Sequence, residues 1–329
     1  MKIVITGGTG FIGQGIARAL LKRGTVTGPS GNQEEIDSIV LFDIAVPDAP
    51  LMGMDERVSV VAGDISDRDT VFGLIDRDDV SVFHLASVVS AGGELDFDLA
   101  MRINLDGGRH ILEAARARAT CPRVVFASSL AVFGGKATPK TISDTTKQTP
   151  QTTYGMTKSI GELMINDYSR KGFIDGRSAR LPTIIIRPGK PNAAASSFCS
   201  GVFREPLHGE TCTLPVSRDT RMAMLGAHNV VEGFIGLHEA DGSKLGEDRA
   251  INLPSRTYSV TEMIEASQRV AHSRGINIGP VVDAPDAAIE AIVAGWPSDM
   301  ISDRALALGL PLDDSLDQVV EDFIDDWMR

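Results

Sequence analysis

The sequence predicts an α/β protein: a doubly wound parallel sheet with a smaller C-terminal substrate-binding lobe. Three observations predict it. Short apolar runs alternate with longer amphipathic stretches through the first half, a glycine-rich turn follows the first run, and the alternation stops after Arg187. Strand–helix–strand alternation of this kind builds a parallel sheet covered by helices on both faces.

The elements follow in order. Residues 2–6 read as a buried strand, and 12–23 as a helix with Ile12, Ile16, Ala19 and Leu20 on one face. Strands are expected at 38–43, 58–62, 80–85, 124–128 and 184–187, with helices at 104–118 and 154–170 between them. A Pro-Gly-Lys-Pro-Asn run at 188–192 breaks the pattern, and 193–214 has no clear period. Residues 250–254 look like a strand returning to the sheet, followed by helices at 260–273, 284–294 and 315–328. The expected division is 1–188 plus 226–256 for the sheet domain, and 189–225 plus 257–329 for the lobe.

With 329 residues, 43% of them hydrophobic, the chain is long enough for a sizeable core. Its 44 acidic and 32 basic residues leave a net charge of −12, which argues against nucleic acid or an anionic membrane as partner. Cys121, Cys199 and Cys212 form no CxxC pair, and the six histidines show no ligand spacing, so neither a disulfide framework nor a metal site is expected. No run reaches the ~18 apolar residues of a membrane helix. The N-terminus turns to glycine after three apolar residues, unlike a signal peptide, and the expected setting is cytoplasmic.

Gly7-Gly8-Thr9-Gly10-Phe11-Ile12-Gly13 joins the first strand to the first helix. Gly7 allows a tight turn, Gly10 lets the backbone approach a pyrophosphate, and Gly13 lets helix and strand pack closely, as in a Rossmann dinucleotide site. Phe11 and Ile12 open the helix whose free N–H groups would face the phosphates. Asp43 ends the second strand where a carboxylate can accept both adenosine ribose hydroxyls, and no arginine follows to take a 2′-phosphate, so NAD is expected over NADP. Asp64 and Ile65 follow the third strand and could hold the adenine edge; Asp64 could equally be a turn former.

Tyr154 and Lys158 stand one helical turn apart. A phenol is a poor base at neutral pH, but a nearby ammonium favours the phenolate and lowers its pKa. Lys158 could also grip the nicotinamide ribose. Ser129 ends the fifth strand, at the sheet edge where such folds hold ligands, and could hydrogen-bond the oxygen that Tyr154 deprotonates. Tyr154 and Lys158 are therefore candidates for both catalysis and cofactor binding.

TGGTGFIG at 6–13, HLAS at 84–87, NLDGGRHILEAAR at 104–116, SSLAVFG at 128–134 and YGMTK at 154–158 together resemble the extended short-chain dehydrogenase/reductase family over the whole chain. The resemblance implies a catalytic set of Ser129, Tyr154 and Lys158, with Asn104, Leu85, Ala86 and Pro182 on the cofactor groove, and pairing into homodimers through helices 104–118 and 154–170. Leu130 and Ala131 stand where the dehydratases of that family carry an Asp-Glu pair, which argues against dehydration. The stretches at 166–182, 187–198 and 252–255 resemble members that oxidise a small sugar acid, D-erythronate, to 2-dehydro-D-erythronate. A nucleotide-sugar 4-epimerase is the rival, and a non-catalytic NAD-sensing protein a second.

A sugar acid needs cations or donors for its carboxylate. Residues 177–224 hold seven basic and three acidic side chains, a net +4 inside an acidic chain. Arg187 and Arg221 are the cationic candidates, Arg221 because it matches the phosphate-gripping arginine of nucleotide-sugar relatives. Ser87, Ser90, Ser129, Tyr154 and Asn192 are the expected polar contacts.

Overall fold

Seven strands form one parallel sheet in a computed structural model that describes residues 1–189 and 195–328. They are β1 (Lys2–Thr6), β2 (Ser38–Asp43), β3 (Val58–Ala62), β4 (Val80–His84), β5 (Arg123–Ser129), β6 (Asp175–Leu181) and β7 (Ala250–Asn252). Their order across the sheet is β7-β6-β5-β4-β1-β2-β3. The chain reverses direction across the sheet between β1 and β4, which opens a crevice at the carboxyl ends of those two strands.

Alternation along each strand makes the two faces. Ile3, Ile5, Ile39, Leu41 and Phe83 pack on one side, against helices α1 (Phe11–Arg23) and, late in the chain, Ala227–Glu239. Val4, Val40, Phe42, Val82 and Phe126 pack on the other, against α2 (Gly107–Arg116) and α3 (Thr153–Arg170). A further core gathers Ile185, Phe203, Leu214, Met224, Met263 and Phe323 around a small sheet of Thr183–Ile185, Arg221–Gly226 and Arg256–Ser259.

Several expected elements need correcting. The sixth strand of the large sheet is Asp175–Leu181; of the expected 184–187, Ile184 and Ile185 lie in the small sheet and Arg187 lies outside any strand. A run containing Asp175, Arg177 and Arg180 does not read as a buried strand, yet Arg177 and Arg180 are both buried. Arg177 pairs with Asp175 and donates to Leu237 O (3.0 Å), and Arg180 pairs with Glu162 (2.7 Å). The aperiodic stretch 193–214 contains the helix Phe198–Leu207, nine of whose ten residues are buried, so it has no polar face to give a period. The helix expected from 284 begins at Ala287, because Asp286 caps it by accepting from Ala288 N and Ile289 N.

Candidate functional site

The glycine loop sits at the mouth of the crevice. Gly7 has φ +67°, and a Cβ at Gly13 would lie 2.7 Å from Gly7 O, so neither position accepts a larger residue without shifting backbone. The first turn of α1 has no side-chain cap and no acidic residue, which leaves its N–H groups free for an anion. At the end of β2, Asp43 Oδ2 accepts from Thr9 N (3.1 Å) and Thr9 Oγ1 (2.7 Å), tying the carboxylate to the loop. This cradle fits a dinucleotide. Its backbone donors suit a pyrophosphate, and its carboxylate stands where a ribose diol would be received.

The chemical end is built by β5 and α3. Thr152 caps α3 by accepting from Gly155 N, and a Cβ at Gly155 would lie 2.1 Å from Ala131 O. That close approach brings Tyr154 beside Ser129. Both side chains line one cavity, and the Ser129 hydroxyl oxygen accepts from Ala131 N (3.1 Å). Lys158 is 3% exposed, with its Nζ 4.8 Å from the centre of the Phe126 ring and 5.4 Å from that of Tyr154.

The electrostatics differ from the sequence expectation. Burial raises the Tyr154 pKa above its ordinary value; the Ser129 hydrogen bond and the Arg187 charge oppose that rise without cancelling it. Burial also pushes Lys158 down to about 7, against the attraction of Glu162. The Arg187 charge also favours the phenolate, and the Lys158 Nζ stands over the same ring. His84 is held neutral at about 3, first by burial and then by Lys158, which leaves it unfit to compete as a base near neutral pH. Its Nδ1 meets Thr6 Oγ1 at 2.7 Å.

One cavity of about 480 Å³ runs from the glycine loop to the second core. Gly7, Gly10, Phe11, Ile12, Gly13, Leu85 and Pro182 line it, as do Ser87, Ser90, Ser129, Tyr154, Lys158 and Arg187. Asn104 stands behind the lining: its Oδ1 accepts from Val88 N (2.7 Å), and its Nδ2 donates to Val88 O and Thr157 Oγ1. It fixes the loop after β4 rather than facing the groove. Ala86 N is engaged by Thr6 Oγ1 (3.2 Å), Ile65 is buried in the sheet core, and Asp64 Oδ1 accepts from Ser66 N and Oγ, the turn-forming alternative. Asn192 lies outside the described residues.

Arg221 is a correction. Its exposed side chain pairs with Glu262 (3.4 Å) and donates to Thr257 O, away from the cavity. Arg177, Arg180, Arg204 and Arg218 are likewise taken, by Asp175, Glu162, Glu205 and Asp283. Arg187 alone of the described basic residues in 177–224 has no carboxylate partner among the described residues. Its guanidinium lies 5.8 Å from the centre of the Phe11 ring.

Sequence reasoning missed Glu162, one turn beyond Lys158. Glu162 accepts from Ser128 Oγ, Gln148 Nε2 and Arg180, so a buried ion pair braces the strand end and helix that carry Ser129 and Lys158. Its position four residues after Lys158 was the available signal. Met222, Phe133, Trp296 and Pro297, which also line the cavity, were missed too, and no local pattern marks them.

A sequence model of the NAD dependent epimerase/dehydratase family matches residues 3–253. The chain is 45% identical to a D-erythronate dehydrogenase of Cupriavidus necator, over 99% of this chain and 98% of that one. It is 42% identical to a D-erythronate dehydrogenase of Haemophilus influenzae, over 99% of both. Among solved structures, one named as a nucleoside-diphosphate-sugar epimerase, from Agrobacterium tumefaciens, superposes with a TM-score of 0.90 at 37% identity, covering 100% of this chain and 94% of that one. Among the described residues no helix is long and apolar enough to cross a membrane. The matched family, the glycine cradle and the carboxylate at Asp43 agree on the cofactor, and the chain belongs to the NAD-dependent epimerase/dehydratase family of extended short-chain dehydrogenases/reductases.

Proposed function

We propose that this protein oxidises D-erythronate at C2 to 2-dehydro-D-erythronate with NAD⁺, as a cytoplasmic homodimer. The observation that carries the reading is Arg187, a guanidinium without a carboxylate partner among the described residues, lining the same cavity as Ser129 and Tyr154. A charge-assisted hydrogen bond from Arg187 would hold the substrate carboxylate and set the adjacent carbon before the phenol. Two full-length relatives named for this reaction give the acid its identity.

Tyr154 takes the C2 hydroxyl proton, and Ser129 donates to the same oxygen and fixes its direction. Arg187 favours the phenolate while it binds the acid, so substrate anchoring and base activation share one charge. Lys158 and Asp43 would hold the two ribose ends of the cofactor, with the glycine loop on the pyrophosphate. Bound NAD⁺ supplies the hydride acceptor that leaves C2 as a ketone. The test is NADH absorbance: stoichiometric NADH is expected with D-erythronate and none with a UDP-sugar. Interconversion of UDP-sugars without net NADH would support an epimerase instead, the activity for which the Agrobacterium protein is named.

For the dimer, Leu163 on α3 is 65% exposed, and Leu95, on the helix Ser90–Leu95 that packs against α3, is 88% exposed. A second copy would cover this apolar face. Light scattering should give twice the chain mass, and Leu163→Glu should return the monomer.

A further inference from the structure

We propose that Trp296 sets the length of the acid this enzyme accepts, by walling the cavity beyond the carbon that faces Tyr154. The inference rests on the sugar-acid reading above. Trp296 and Pro297 line the cavity that holds Ser129, Tyr154 and Arg187, although they lie more than a hundred residues further along the chain. Behind the cavity face, the indole packs on the second core.

The wall is held in place by backbone. Trp296 N donates to Val293 O (3.0 Å), closing the end of the helix Ala287–Ala294. Lys140 Nζ donates to Ala294 O (2.8 Å) and Trp296 O (3.3 Å). Ser298 N and Asp299 N both donate to Lys140 O at 3.0 Å, and Thr141–Ile142 then pairs in parallel with Asp299–Met300. Thr257 Oγ1 fastens the same stretch through Asp299 Oδ1 (2.7 Å). The segment at 140–142 lies downstream of β5, which ends in Ser129. The backbone that carries the indole is therefore fastened at Lys140, Thr141–Ile142 and Thr257, and displacing it would break these bonds.

The chemistry of the wall favours a short tail. With the carboxylate on Arg187 and C2 at Tyr154, a four-carbon acid has only two further carbons to place. Phe133, Met222 and Pro297 offer those carbons apolar surface, and the indole N–H is a single donor. Each added hydroxymethylene would press against a rigid ring and bury a hydroxyl with no partner, which a site of this kind rejects.

The test compares wild type, Trp296→Ala and Trp296→Phe on D-erythronate and on five- and six-carbon acids of the same C2 configuration, by NADH formation. Trp296→Ala should raise the ratio of kcat/KM for the five-carbon acid over D-erythronate by about tenfold or more, with Trp296→Phe between. Cofactor affinity should be unchanged in both. A second measurement needs no variant at the wall. The chain has two tryptophans, Trp296 and Trp327, so Trp327→Phe leaves Trp296 as sole emitter, and in a Tyr154→Phe background, where no NADH forms, D-erythronate added to the NAD complex should change its fluorescence saturably. An unchanged kcat/KM ratio in both variants, or no fluorescence response at concentrations that saturate turnover, overturns the role of Trp296 and leaves the reaction standing. Wild type that oxidises no sugar acid defeats the sugar-acid reading itself.

Discussion

The two ends of the cavity are made differently. At the cofactor end, one uninterrupted stretch, Gly7 to Gly13, supplies the turn, the close approach and the free N–H groups, largely from backbone. At the substrate end, Ser129, Arg187, Met222 and Trp296 arrive from four distant segments and act through side chains. A backbone cradle is encoded locally and tolerates little change at its glycines. A side-chain enclosure is encoded by tertiary contacts, and each of its walls can be exchanged separately.

Mutations should separate the two ends. The largest effect is expected where they meet: Tyr154→Phe should lower kcat by roughly 10²–10⁴ while isothermal titration shows NAD bound as before. Comparable turnover in the two proteins would remove Tyr154 from the chemistry. Glu162→Ala, behind the serine and lysine, leaves Arg180 buried and unpaired and should cost roughly 3–5 kcal/mol of stability in denaturant unfolding. Arg187→Met should raise KM for the acid by about tenfold to a hundredfold and leave the Kd for NAD alone. Because the Arg187 charge lowers the phenol's pKa, the same variant should move the alkaline rise of kcat/KM to higher pH. A shift toward lower pH would contradict that coupling. Arg221→Ala, exposed and outside the cavity, should change KM by less than about twofold, since such surface pairs contribute little.

The same contrast explains what could be read in advance. The glycine loop, Asp43, Ser129, Tyr154 and Lys158 are local patterns whose spacing already implies their geometry, and β1, β2 and β3 fall at their expected residues. What escaped detection depends on partners far along the chain. Strand β6 looked too charged to be buried until Asp175 and Glu162 are seen beside its arginines. The helix Phe198–Leu207 lacks a period because its surroundings bury it all round. The basic excess of 177–224 offered several cations for a carboxylate, yet its described members other than Arg187 are committed to carboxylates, and Lys190 lies outside the described residues. Net charge along a segment could not reveal which single guanidinium stays available.

The pairing of Thr141–Ile142 with Asp299–Met300 also bears on how the molecule is completed as it folds. It joins residues 158 positions apart, so it closes only after nearly the whole chain has emerged. The glycine loop and Asp43 lie within the first 43 residues, on β1, α1 and β2, whereas the substrate wall waits for this late, long-range contact. Hydrogen exchange during refolding should accordingly protect the amides of Val4 and Ile39 before that of Ile301, which donates to Ile142 O. Simultaneous protection would mean that both ends form in one cooperative step. In the expected order, the strands that carry the glycine loop and Asp43 are set before the wall that meets the acid.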